Sequence, residues 1–322
     1  MEDIMNTLTS ILGIKYPVIQ AAMAWLTNAS FVASVGEAGG LGVLGPNAGQ
    51  TTPTHNPIEA AERMRNEIRK VRRLSTKPFA VNFLLPIPDV ESSIRYMLPL
   101  LNICKEEKIK ILVTAGDINP LAKDTFINLK KCGFTILHRD YSPTVKSAIL
   151  AQTLGADAYI VTGNEAGGLL PRYELSTLSI LPQICKELDI PIIAAGGIID
   201  GISARAVKIL GASGVYVGTK FLMSYESPMH INAKNFIKNC NSEDLIRIKS
   251  AMGDYRSLID YRNTCYSSNI DIITKTLSSF RVGMLEGKIH EGVVCVSEAA
   301  GAIKEISSVS RIINDLAEPF IS

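Results

Sequence analysis

The sequence predicts an α/β fold, an eight-stranded parallel βα barrel of the TIM (β/α)8 type, with a small helical lid domain inserted after strand 8. Three observations predict it. Short apolar runs rich in valine and isoleucine recur along the chain, each ending in glycine or a small polar residue. The runs are continuous rather than alternating, as strands buried on both faces require. Longer segments with helical spacing separate them, which supplies the crossovers that parallel strands need.

The eight runs read YPVIQAAM (16–23), LGVLG (41–45), FAVNFLL (79–85), ILVTAG (111–116), TILHRD (135–140), AYIVTG (158–163), PIIAAGG (191–197) and VYVGTKF (215–221). Between the first two, NASFVASVGEAGG opens on Asn28, a suitable helix N-cap, and closes on Gly39 and Gly40. AAERMRNEIRKVRRL (60–74) sets Ala61, Met64, Ile68 and Val71 on one stripe with basic residues opposite. PTVKSAILAQTLGA and ISARAVKILGA repeat that arrangement, each ending in Leu-Gly-Ala. Eight such units can close into a barrel or stay open as a doubly wound sheet, and a span of about 225 residues suits the barrel. The pattern changes after residue 222. ESPMHINAKNFIKN, DLIRIKSAM and NIDIITKTLSSFRVGML keep helical spacing without a buried strand. The expected division is a barrel of residues 1–222 and 300–322, with a helical substrate lid over 223–299 and a last helix over 299–317 returning to the barrel wall.

Composition narrows the function. Basic and acidic residues number 33 and 31, a formal charge of +2, so nothing points to a nucleic-acid partner. The apolar runs are too short to span a bilayer, and the start MEDIMNTLTS lacks the basic and apolar regions of a secretory signal. A cytoplasmic location is expected. Six scattered cysteines without a C-x-x-C pair, and four histidines without metal-ligand spacing, predict reduced thiols and no metal centre. Twenty-four glycines against one tryptophan is the unusual ratio, so the placement of the glycines matters.

In a βα barrel the active face is built at the carboxyl ends of the strands. That rule selects Gln20 to Met23, Asn82, Thr114 to Asp117, His138 to Asp140, Gly163 to Leu169, Ala195 to Ile198, and Gly218 with Thr219. AAGGI (194–198) and VGT (217–219) follow the seventh and eighth strands, where backbone N–H groups and glycine allow close approach of a phosphate. Either motif alone is a common tight turn; one βα unit apart, they form a phosphate cradle. No Walker A motif is present and no G-x-G-x-x-G follows the first strand, which argues against an ATP or Rossmann-type site.

Taken together, YPVIQAAMAWLTNASFVASVGEAGGLGVLG, FAVNFLL, NEAGG, PIIAAGGIIDG and VYVGTKFL resemble the nitronate monooxygenase family, also called 2-nitropropane dioxygenases. They look equally close to the flavin-dependent enoyl-acyl-carrier-protein reductases of the same superfamily. The resemblance implies an FMN-binding barrel with a helical lid. It places Ala21, Ala22 and Met23 where the family has Gly-Gly-Met against the flavin ring, Asn82 at the ring's polar edge, and Arg139 where many members have lysine. Gly168 would lie against the flavin, with Ala195, Gly196, Gly197, Ile198, Gly218 and Thr219 at the phosphate. Thr114 and Glu165, polar groups at strand ends, complete the expected cofactor set.

One position departs from the family. Members read E-A-G-G-H or a close variant, with the histidine acting as base or proton donor; here Glu165-Ala166-Gly167-Gly168 is followed by Leu169. Leucine exchanges no proton, so activity that requires deprotonation of a neutral nitroalkane is expected to be weak, while oxidation of a preformed nitronate needs no base. His138 and Tyr173 are the candidates for a substitute. The expected activity is an FMN-dependent oxidoreductase resembling nitronate monooxygenase. The alternatives are an NAD(P)H-dependent FMN reductase of enoyl thioesters or quinones, and a flavin- or acyl-ligand-binding protein with little turnover. The expected partner is a small-molecule or acyl-thioester substrate, with a homodimer left open.

Overall fold

Asn28, Asn56, Asn119, Thr144, Ser176 and Asp200 each accept a backbone N–H from the first turn of the helix that follows, which fixes where six helices begin. The computed structural model describes residues 2–249, 253–258 and 280–321. The crossovers are α2 (Ala29–Glu37), α3 (Pro57–Leu74), α4 (Glu91–Glu106), α5 (Pro120–Lys131), α6 (Val145–Thr153), α7 (Thr177–Cys185) and α8 (Gly201–Ile209), preceded by α1 (Glu2–Leu12). In α3 the predicted stripe of Ala61, Met64, Ile68 and Val71 is the buried one.

Eight parallel strands follow the eight apolar runs: β1 (Val18–Gln20), β2 (Gly42–Leu44), β3 (Phe79–Leu84), β4 (Ile111–Ala115), β5 (Thr135–Arg139), β6 (Ala158–Thr162), β8 (Ile192–Ala195) and β9 (Gly214–Val217). They pair in the order β1-β9-β8-β6-β5-β4-β3-β2. A parallel bridge between Ile19 and Leu41 joins the two ends, with Gln20 N–H donating to Leu41 O at 2.9 Å and Leu41 N–H to Val18 O at 3.0 Å. Those bonds decide the closure: the sheet is a barrel, not an open doubly wound sheet.

The continuous apolar runs split by parity, because successive strand side chains point to opposite faces. Ile19, Ala80, Ile111, Val113, Leu137, Ile160 and Ile193 fill the barrel interior, which α1 plugs from below with Leu8 and Leu12. Val18, Val81, Leu112, Ile136, Val161, Ala194 and Val215 pack outward under the helices. A run buried on both faces therefore serves two cores at once.

The segment after β9 differs from its expected form. A short helix α9 (Thr219–Leu222) and α10 (Ile231–Lys238) match the helical reading, but in DLIRIKSAM the residues LIRI form a strand, β10 (Leu245–Ile248), and its last three residues lie outside the described ones. It pairs antiparallel with β11 (Tyr255–Leu258), which pairs with β12 (Val294–Cys295) and with β7 (Gly168–Leu169), a two-residue strand in the loop after β6. Short apolar segments carry too few residues to separate the two periods, and here cross-strand burial of Tyr255 and Leu258 wins. The lobe is thus a small sheet with helical flanks, not purely helical. Most of NIDIITKTLSSFRVGML lies outside the described residues; its end, Arg281–Leu285, is a π-helical turn. The last helix, α11, runs over Val309–Ile321 instead of 299–317, because Glu298–Ala302 form a 3-10 turn and Ser308 Oγ caps the later start. It packs against α8 and α2, returning the chain to the barrel wall.

Candidate active site

A cavity of about 270 Å3 opens at the carboxyl ends of the barrel strands, beneath the lobe. Ala21, Ala22 and Met23 form its floor at the end of β1, and Ala22 N–H donates to the Tyr216 hydroxyl at 2.8 Å, which fixes the backbone there. Asn82 sits inward on β3; its amide donates to Val113 O at 3.0 Å, which leaves Oδ1 facing the cavity. Arg139 also lines the cavity, its Nε donating to Thr162 Oγ1 at 3.0 Å. Among the described residues Arg139 is the only charged side chain in the lining, and no histidine, aspartate or glutamate joins it.

The glycine-rich turns close the far side. Gly196 has φ +96, and a Cβ there would lie 3.0 Å from Gly163 O, so only glycine fits without strain. Gly168 has φ +75, and a Cβ on it would meet no protein atom within 4 Å; the space beyond it is cavity. With Ala195, Gly197, Ile198, Gly218 and Thr219 also in the lining, backbone rather than side chains faces the space. Thr219 Oγ1 accepts from Ser297 N–H at 2.9 Å, so its own O–H remains available to a ligand. Small residues, backbone N–H groups and one guanidinium fit a flat ring that ends in a phosphate.

The lobe grips the loop that carries Gly167, Gly168 and Leu169. The Arg256 guanidinium, nearly buried, donates to Asn164 O at 2.6 Å and Ala166 O at 2.9 Å, with Glu298 at 3.7 Å. Ser297 Oγ and Glu298 N–H both donate to Glu165 O, at 2.7 and 3.0 Å. Tyr255 pairs with Leu169 and Arg256 with Gly168 across β11 and β7.

Four candidates from the sequence, two for the cofactor and two for the missing base, lie outside the lining. Glu165 turns away and caps α7, accepting from Thr177 N–H and Thr177 Oγ1, each at 2.9 Å. Thr114 and His138 are outward positions on β4 and β5: Thr114 Oγ1 lies 2.9 Å from His138 Nδ1, and His138 Nε2 lies 3.1 Å from Asp140 Oδ1. Burial alone would raise the Asp140 carboxyl, but the bonds from His138 and the Tyr159 hydroxyl hold it below the usual range. This buried chain ties the wall to the helices. Tyr173 is 55% exposed and also outside the lining. Neither candidate for the missing base lines the cavity. Conversely, Tyr141, Tyr216, Tyr255, Arg256 and Ser297 were not selected from sequence. Parity on β9 could have pointed to Tyr216; Tyr255, Arg256 and Ser297 carry no local signal.

Leu169 does line the cavity, packing its side chain toward Gly253. Burial pushes the Tyr255 phenol up to about 12 and raises those of Tyr141 and Tyr216. It also pushes the Cys295 thiol well up. Among the described residues the lining therefore carries no group that takes a proton near neutral pH.

Fold and site together define a βα barrel with a glycine-lined cavity at its carboxyl face and a capping lobe above it. The sequence profile of nitronate monooxygenase matches residues 5–319, and the chain belongs to that family. A probable nitronate monooxygenase of Staphylococcus aureus strain Newman is 32% identical over 280 residues, covering 77% of this chain and 76% of its own. FabK from Thermotoga maritima superposes with a TM-score of 0.82 at 29% identity, covering 98% of this chain and 95% of its own. A nitroalkane oxidase from Streptomyces ansochromogenes shares the fold, with a TM-score of 0.78 at 22% identity and 98% of both chains covered. Among the described residues no helix is long and apolar enough to cross a membrane, and no group of three or more His, Cys, Asp or Glu could hold a metal.

Proposed function

We propose that the chain is an FMN-dependent oxidoreductase that oxidises alkyl nitronates with O2, taking the substrate already ionised. The observation that carries this reading is the lining: one cation, Arg139, and no base among the described residues. A neutral nitroalkane must lose an α-proton before it is oxidised, and general-base assistance is worth roughly 10²–10⁴-fold in rate. A nitronate needs no such step and brings a negative charge to the guanidinium. FMN, when bound, takes electrons from the substrate and passes them to oxygen. Ala195, Gly196, Gly197, Ile198, Gly218 and Thr219 would hold its phosphate, Ala21, Ala22 and Met23 would lie against the ring, and Asn82 and Arg139 would meet its polar edge. Above the cavity, Phe280 and Met284 of the lobe offer an apolar surface to an alkyl group.

The test is direct. Purified protein should carry, or take up, FMN, and should consume oxygen with ethyl nitronate. A protein that binds no FMN would overturn the reading. The likeness to FabK supports a second reading, in which NADH or NADPH supplies the electrons and an enoyl thioester takes them. Anaerobic addition of NADH or NADPH separates the two, since only the reductase bleaches the flavin.

A further inference from the structure

Two phenols stand in the lining without a part in the flavin site. Tyr141 lies two residues beyond Arg139, in the loop that follows β5. Tyr255 enters from the lobe on β11, backbone-paired with Leu169. Neither hydroxyl has a hydrogen-bond partner among the described residues, and neither is sealed from the cavity. Tyr216, the third phenol there, already accepts from Ala22 N–H. The Tyr255 ring is held against Phe280 at 5.4 Å between centroids, which limits where its hydroxyl can point. The two phenols are close enough that ionising one would oppose ionising the other, and Arg139 acts on Tyr141.

We infer that Tyr141 and Tyr255 are the substrate-facing hydrogen-bond donors of this cavity, holding the oxygen atoms of an alkyl nitronate beside Arg139. They occupy the role that an imidazole at position 169 would otherwise share. A nitronate presents two oxygens that divide one negative charge, and two O–H donors with a guanidinium match it without any proton being transferred. Burial keeps both phenols protonated, so they remain donors at the mildly alkaline pH where nitronates persist. The inference rests on the nitronate reading above and adds to it the residues that recognise the substrate.

The experiment uses FMN-loaded wild type, Tyr141→Phe and Tyr255→Phe, each of which keeps its ring. Butanoate, a non-reacting carboxylate with the same planar pair of oxygens, is titrated by calorimetry. FMN affinity and steady-state oxidation of ethyl nitronate are measured alongside. Loss of one hydrogen bond to a charged group should weaken butanoate and raise KM for the nitronate by roughly 10-fold in each variant, with FMN affinity unchanged. Unchanged butanoate affinity and KM would overturn the inference and leave nitronate oxidation standing. Loss of FMN affinity without a separate loss of butanoate binding would mark the tyrosines as structural and overturn it too. A wild type that binds FMN but oxidises no nitronate overturns both readings.

Discussion

Leu169 presents an isobutyl group to the cavity at the position where its relatives are expected to carry an imidazole. On the proposed function the consequence is a substrate preference rather than a dead site, since FMN and the phosphate cradle would make no use of that side chain. Replacing Leu169 by His should raise oxidation of neutral nitroethane by at least about 10²-fold while changing the nitronate rate little, because only the neutral substrate needs a base. Oxygen uptake with each substrate checks it; an unchanged nitroethane rate would mean that proton transfer was not what was missing. Residue by residue, the site was legible where backbone makes the contacts. AAGGI and VGT stand in the lining because glycine at a strand end has a physical purpose that sequence displays. Thr114 and His138 were misplaced for a reason that was also available: Leu137 and Arg139 face inward, so His138 between them must face out. The same parity sets Asn82 inward on β3.

Among elements, the contact between β11 and β7 joins lobe to barrel, and Arg256 is its fastener. Two carbonyls, of half-buried Asn164 and buried Ala166, depend on one guanidinium. Arg256→Met keeps the stem and removes the donors; leaving those acceptors unmet should cost about 1–3 kcal/mol. Because the same loop carries Gly168 and Leu169, FMN affinity should fall together with the melting temperature. Fluorescence titration and thermal unfolding check it, and a variant with wild-type FMN affinity would show the clamp to be irrelevant to the site. The lobe was the least legible part of the chain. LIRI reads equally well as one helical turn or a short strand, and what settles it is pairing with YRSL across the sheet. Tyr255 reaches the cavity, and Arg256 the loop that borders it, only through that long-range pairing. By contrast, α2 and α3 were legible from caps and stripes, since their signals lie within the elements themselves.

For the whole molecule, the barrel followed from eight continuous apolar runs, and closure between β1 and β2 follows from the bonds of Gln20 and Leu41. Burying so much of the chain also buries groups that ionise only in alkali. Burial raises the Cys104 thiol to about 12, Cys185 to about 11 and Tyr255 to about 12, from ordinary values of 9.0 for the thiols and 10.0 for the phenol. Each raised group keeps its proton in the folded state after the unfolded chain has lost it. Their contribution is therefore intact below about pH 9 and declines as pH rises toward 12, by up to about 1.4 kcal/mol per pH unit for each group. Urea midpoints measured between neutral pH and pH 11 should fall steadily above pH 9, and a flat profile would contradict the burial of these groups. The proposed function has this cavity oxidise a substrate already ionised, using one cation and, among the described residues, no base. Anaerobic mixing of the FMN-loaded protein with preformed ethyl nitronate, and separately with neutral nitroethane, tests it most directly through the flavin's visible band. Rapid bleaching by the nitronate and almost none by nitroethane is the predicted result; equal bleaching by both, or bleaching by NADH or NADPH alone, would contradict it.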